Sequence, residues 1–203
     1  AVIVEKPLCT TLADADAMVA EAERTGNRFL YAENLAYAPV VTEFVRRVRD
    51  LGALTHLEVR ALNPMPSWSA YTGDEWGGGA LFDLGVHPLA VAVLAAAPAL
   101  PRVVRARLEG SPSGRHGSDE LADVLVQFDN GLRAHVVASY RGGASPQWDA
   151  QAASDTGVVR AELLPQPALE VNGTEVPLPS PTGRVPALEH YGYRGEWSAF
   201  LQD

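Results

Sequence analysis

The run Gly77-Gly78-Gly79-Ala80-Leu81-Phe82-Asp83-Leu84-Gly85-Val86-His87-Pro88-Leu89 holds the densest set of chemistry-bearing residues in the chain. Glycines let a backbone approach a ligand closely and adopt positive φ. Asp83 and His87 are four residues apart, which on helical geometry puts them on one face. An acid and an imidazole beside a ligand-hugging backbone are the equipment of a proton-transfer site. His87 is the candidate general acid/base, because imidazoles titrate near neutrality, and Asp83 would orient its ring or relay its proton. Taken alone, the pair also reads as a capping aspartate and a satisfied core histidine on an apolar helix. Pro88 disfavours α conformation at His87 and suits the first turn of a helix. The stretch is therefore expected to be an irregular helix start rather than a regular turn.

A second candidate lies at Val2-Ile3-Val4-Glu5-Lys6-Pro7, an apolar strand that ends in Glu-Lys-Pro. The carboxyl end of a parallel strand is where open α/β sheets bind ligands. Lys6 there could donate hydrogen bonds and positive charge to a substrate oxygen. It also reads as a surface lysine at a strand end. Its bond to Pro7 is of the kind that can be cis. Trp68, Tyr71 and Trp76, in the loop before the glycines, could wall a sugar-sized pocket or form a satellite hydrophobic cluster. The glycine triplet lacks G-x-G-x-x-G spacing after a strand, and no such fingerprint occurs in the chain. His56, His116, His135 and His190 have no partners at metal-ligand spacing and read as structural or exposed.

These residues sit in a chain of 203 residues, long enough for one large domain or one domain and part of another. Hydrophobic residues make up 47% and charged residues 20%, so a sizeable core can form. The 25 acids against 16 bases leave a net charge of −9, which disfavours nucleic acid or an anionic membrane as partner. Cys9 is the single cysteine, so there is no disulfide framework and no thiolate metal site. That usage points to a reducing compartment and a cytoplasmic protein. The apolar stretch from Leu84 to Leu100 is short and broken by His87, Pro88 and Pro98, so it reads as a buried helix rather than a membrane span. No signal peptide is evident. The chain opens in mid-strand without a methionine and stops within an amphipathic helix, which suggests a fragment.

The elements that would position the site follow from periodicity. Val2 to Val4 and Phe29 to Glu33 read as strands around a helix over Thr11 to Thr25, capped by Thr10 or Thr11 and stopped by Gly26. That order is a parallel βαβ unit. Pro39 to Leu51 reads as a helix with Val40, Val41, Phe44, Val45 and Val48 on its apolar side, ended by Gly52. Ala53 to Leu62 alternates like a strand. After Pro101 the pattern becomes β, with strands over 102–109, 121–128 and 132–140 and Asn130-Gly131 as a hairpin turn. Further strands are expected over 148–153, 158–164 and 169–176, the last interrupted at Asn172-Gly173. The fold class is α+β: an open, mainly antiparallel sheet with helices on one face, preceded by the βαβ unit. The uncovered face must be solvated or packed against something else.

Three motifs in order resemble one family. Glu5-Lys6-Pro7 ends a strand, Glu33-Asn34-Leu35-Ala36-Tyr37-Ala38-Pro39 opens a helix, and Gly77 to His87 reads GGG-x-L-x-D-x-G-x-H. Together they resemble the glucose–fructose oxidoreductase / inositol dehydrogenase / MocA (Gfo/Idh/MocA) family over nearly the whole chain. The resemblance implies that residues 1–36 end a nucleotide-binding Rossmann domain, truncated here, and that 37–203 form a substrate-binding α+β domain. It implies an NAD- or NADP-dependent oxidoreductase moving a hydride between nicotinamide and a sugar or cyclitol carbon, inactive as this fragment. Lys6, Asp83 and His87 would be catalytic, Glu5, Pro7 and Asn34 would lie at the cofactor, and Trp68 and Trp76 would contact substrate. Two family positions differ: an acid often found three residues after the histidine is Ala90, and an arginine often found after Leu35 is Ala36. Two other readings stay open, a non-catalytic binding or oligomerisation module and an NAD-dependent glycoside-cleaving enzyme. The open sheet face suggests a homo-oligomer.

Overall fold

A computed structural model of the chain describes residues 1–67, 78–110 and 118–202. Strand β1 (Val2–Glu5) pairs in parallel with β2 (Phe29–Ala32), Val2 opposite Phe29 and Glu5 opposite Ala32. Helix α1 (Leu12–Thr25) connects them. The Thr11 hydroxyl accepts from the Asp14 amide at 3.1 Å and caps its start, and Gly26 ends it at φ 63°. The apolar positions of α1 are not buried: Leu12 and Val19 stay exposed. Two strands are too narrow a platform to cover one side of a four-turn helix.

The main body is an eight-stranded sheet. Its strands are β3 (Leu54–Leu62), β4 (Pro101–Gly110), β5 (Asp119–Phe128), β6 (Arg133–Ser139), β7 (Gln147–Ser154), β8 (Gly157–Leu164), β9 (Ala168–Val171) and β10 (Thr174–Glu175). The spatial order is β10-β9-β8-β7-β3-β6-β5-β4. Every neighbouring pair is antiparallel except β3 and β6. The β9–β10 turn has Asn172 at φ 52° and Gly173 at φ 77°, the paired left-handed residues of a tight hairpin.

Alternation sorts the two faces. Leu57, Val59 and Ala61 of β3, Val124 and Val126 of β5, Val136 of β6 and Val159 of β8 are buried on one face. Helices α2 (Pro39–Asp50) and α3 (Val86–Ala96) pack there. Helix α2 buries Val40, Val41, Phe44, Val45 and Val48, the stripe its sequence marks out. The opposite face carries paired polar side chains. The Arg60 guanidinium grips the Asp149 carboxylate with two bonds of 2.9 and 2.8 Å, and the His135 ring meets Asp123 at 2.9 Å. Edge strand β4 leaves Val103, Val104 and Leu108 exposed.

Two short elements place the site. A 3₁₀ turn at Asn34–Tyr37 links β2 to α2. A single π-helical turn, Ala80–Leu84, precedes α3, with Gly85 donating to the Ala80 carbonyl at 2.8 Å. After α4 (Pro186–His190), helix α5 (Tyr193–Gln202) returns to pack on the 3₁₀ turn. Gly192 makes this possible: its φ is 85°, and any side chain would run into the Asn34 carbonyl.

Candidate active site

Lys6 stands at the carboxyl end of β1, followed by a cis bond to Pro7. Its ammonium donates to the Asp83 backbone carbonyl at 2.8 Å and to Asp83 Oδ1 at 2.9 Å. The other carboxylate oxygen, Oδ2, accepts the Tyr140 hydroxyl. The Lys6 and Asp83 side chains are largely buried, as is Tyr140. Desolvation offsets much of the attraction in a partly buried pair of this kind, but removing one partner leaves an uncompensated charge. Lys6, Pro7, Leu8, Thr10 and Phe82 line a cavity of about 570 Å³ on the βαβ side.

His87 belongs to a different constellation. Its Nδ1 lies 2.7 Å from Glu33 Oε1, and both residues are buried. The same oxygen accepts the Leu35 amide at 3.2 Å, while Glu33 Oε2 is buried without a hydrogen bond. The imidazole packs on the Trp148 indole, with centroids 5.2 Å apart and planes tilted by 38°. Trp148 is itself fixed by donating Nε1–H to Asn63 Oδ1 at 2.7 Å. His87 lines a cavity of about 340 Å³ with Asn34, Trp148, Leu164, Tyr191 and Tyr193.

The expected Asp83–His87 pair is therefore not formed. The i, i+4 argument assumes a regular helix, and the backbone between the two residues changes from a π turn to an α-helix at Gly85. Pro88 sits in the first turn of α3, where its missing N–H has no intrahelical partner to lose. The two side chains diverge, Asp83 to Lys6 and His87 to Glu33. Asn34 is buried in the wall of the His87 cavity, and its amide donates to the Tyr191 carbonyl at 2.5 Å. Glu5 stands beside Lys6 and accepts the Lys6 amide at 3.2 Å. Trp68 and Trp76, with Tyr71, lie outside the described residues.

Tyr140, Trp148 and Glu196, which surround these groups, carry no local sequence signal. Glu33 is marked in the sequence only as the first residue of the motif Glu33 to Pro39, with no role read for it. Glu196 of α5 is 1% exposed, and its Oε1 has no hydrogen bond. Burial, and after it the charges of Glu5 and Glu33, push its carboxyl up to about 7. Burial, then the same two acids, push the Tyr31 phenol up to about 12. The site thus has an acidic side built from β1, the end of β2 and α5.

Residues 45–175 match the family model described as the GFO/IDH/MocA C-terminal domain. The chain belongs to the GFO/IDH/MocA family. Among relatives, the D-apiose dehydrogenase of Paraburkholderia graminis is 29% identical over 185 residues, covering 86% of this chain and 43% of that protein. A putative UDP-kanosamine synthase oxidoreductase subunit of Amycolatopsis mediterranei is 27% identical, covering 100% of this chain and 64% of that protein. The chain thus spans less than two thirds of either curated relative. GenD2 from gentamicin A biosynthesis, solved in complex with NAD, superposes with a TM-score of 0.84 at 22% identity, covering 98% of this chain and 60% of that one. An inositol dehydrogenase homologue from Azotobacter vinelandii, solved with NADH and myo-inositol, gives 0.73 at 17% identity, covering 90% and 50%. At these identities the likeness speaks for the GFO/IDH/MocA fold, including its open sheet with helices on one face.

Proposed function

We propose that this chain is the C-terminal part of a nicotinamide-dependent dehydrogenase that moves a hydride to or from the hydroxyl-bearing carbon of a sugar or cyclitol. Residues 1–36 would end its nucleotide-binding domain and 37–203 would form its substrate domain. The observation that carries this reading is the setting of His87. Its Nδ1 is engaged by Glu33, its Nε2 has no hydrogen bond among the described residues, and the residue lines a cavity of about 340 Å³. A ring held this way presents one nitrogen to a ligand and can take or return a hydroxyl proton.

The cofactor would be NAD or NADP, the class bound in the solved relatives. The residues present fit the nicotinamide end of such a site. Glu5, Lys6 and Pro7 close the carboxyl end of β1, where parallel sheets receive nucleotides, and a cavity opens beside Lys6 and Pro7. They offer no phosphate cradle, and the chain has no glycine fingerprint. When bound, the nicotinamide supplies the hydride acceptor or donor.

The chain's own residues manage the proton and the charge. In the oxidative direction His87 takes the hydroxyl proton while the carbon loses its hydride. Lys6, aimed by Asp83 and Tyr140, stabilises the oxygen as negative charge develops on it. In reduction the same groups act in reverse. In the complete protein, His87→Ala is expected to lower kcat about 10²- to 10⁴-fold, with an unchanged circular-dichroism spectrum. A variant that keeps near-native turnover would remove His87 from this role.

The uncovered sheet face is proposed as the contact of a homo-oligomer. It is a broad surface on which no helix among the described residues packs, and Leu125 stands partly exposed among its charged pairs.

A further inference from the structure

We infer that Glu33 is the positioning residue of His87, holding the neutral ring as the tautomer protonated on Nδ1 so that Nε2 is the nitrogen that meets substrate. This rests on the reading of His87 as the acid/base, and it adds a residue that the acid-and-histidine pattern of the sequence does not contain. Glu33 and His87 are 54 residues apart and come from separate elements, the end of β2 and the first turn of α3.

The chemistry of the contact decides the tautomer. A neutral imidazole has one donor and one acceptor nitrogen. With Glu33 as a carboxylate, which only accepts, Nδ1 at 2.7 Å from its Oε1 is the nitrogen that carries the proton. That leaves the lone pair on Nε2. Three further contacts stop the arrangement from relaxing. The Leu35 amide donates to the same Glu33 oxygen and fixes the carboxylate, the Trp148 indole fixes the ring plane, and Asn63 fixes the indole. A buried partner on one ring nitrogen commonly dictates what the other can do.

Asp83 is excluded from this task by its own commitments. One of its oxygens holds the Lys6 ammonium and the other accepts the Tyr140 hydroxyl. The site therefore contains two separate units, Lys6–Asp83–Tyr140 for charge and His87–Glu33 for the proton. The further acids on the His87 side are Glu5 on β1 and Glu196 on α5, with the Tyr191 and Tyr193 phenols in the cavity wall.

The test is long-range ¹H–¹⁵N correlation NMR on the complete protein, with ¹⁵N-labelled histidine and alkaline buffer to keep the ring neutral. The His87 signals are assigned by their loss in His87→Asn. Wild type is expected to show a protonated Nδ1 and a bare Nε2. Glu33→Ala is expected to move the proton toward Nε2 and to lower kcat about 10- to 100-fold while KM changes much less. Glu33→Gln keeps an acceptor oxygen and the Leu35 contact, so it is expected to retain more of the wild-type tautomer than Glu33→Ala. Asp83→Asn is expected to leave the His87 tautomer unchanged. A wild-type ring protonated on Nε2 would overturn the inference. So would a tautomer indifferent to both Glu33 variants, or one that follows Asp83→Asn. If Glu33→Ala does not fold, the wild-type and Glu33→Gln spectra still decide. The NMR result needs no turnover, so the positioning role and the dehydrogenase reading fail separately.

Discussion

Single residues at this site are held by chemistry that a neighbouring residue supplies. Lys6 is fixed by two oxygens of Asp83, and His87 by one oxygen of Glu33. Glu196 is the opposite case, a buried carboxyl whose Oε1 has no partner and whose neighbours Glu5 and Glu33 repel its charge. Its folded value, about 7 against an ordinary 4.5, makes stability depend on pH. Between these values the folded state keeps a proton that the unfolded state has lost, so stability falls as pH rises from about 4.5 to 7. Below that window both states are protonated, and above it both are ionised. Glu196→Gln is expected to remove this loss. The variant should gain on the order of 2–3 kcal/mol relative to wild type between pH 4.5 and pH 8. Denaturant midpoints at the two pH values check it, and an identical pH dependence in both proteins would contradict it.

At the scale of elements, the site depends on one irregular segment. The π turn at Ala80–Leu84 directs Asp83 toward Lys6 before α3 starts, and it is anchored by the Leu81 amide donating to Asp119 Oδ2 at 2.9 Å. Gly79 enters the turn at φ 116°, and a side chain there would meet the Asp119 carboxylate and backbone. Only glycine combines that φ with that approach. Gly79→Ala is expected to destabilise the fold by about 1–3 kcal/mol, from backbone strain and loss of the Asp119 anchor. It is also expected to lower turnover of the complete protein, because Asp83 would lose its place. Denaturant unfolding and a turnover assay on the same preparation separate the two effects. A variant as stable as wild type would show that the turn tolerates a side chain.

For the whole molecule, the eight-stranded sheet is a platform with unequal faces. The helices and the site occupy one face and its border, and the other is a lattice of charged pairs such as Arg60–Asp149 and His135–Asp123. Leu125, 36% exposed, lies in register between Arg105 and His135 on that polar face. If copies of the protein meet there, a lysine at this position brings an unpaired charge into the interface. Leu125→Lys is expected to shift the complete protein toward smaller species in sedimentation velocity, with its fold intact. An unchanged distribution would place any oligomer contact elsewhere. No helix among the described residues is long and apolar enough to cross a membrane.

Much of this architecture was already legible along the chain. Alternation gave the strands of the meander within about two residues of their observed bounds, because a sheet buried on one face writes its period directly into sequence. The apolar stripe of α2, a threonine cap at position 10 or 11 and the Asn172-Gly173 turn are likewise local physics, with the structure choosing Thr11 as the cap. The sequence also singled out Lys6, Asp83 and His87, of which the structure pairs Lys6 with Asp83 and sets His87 apart beside Glu33. Their partnerships were not legible. Spacing suggested Asp83 with His87, and one π turn redirected them. Lys6 reaches Asp83 across 77 residues, His87 reaches Glu33 across 54, and Tyr140 reaches Asp83 across 57. The sequence alone determines which groups are available and which elements form, since those depend on neighbours a few positions away. Which acid serves which base was decided only by the tertiary structure, because contact between remote segments depends on how helices, turns and sheet pack together.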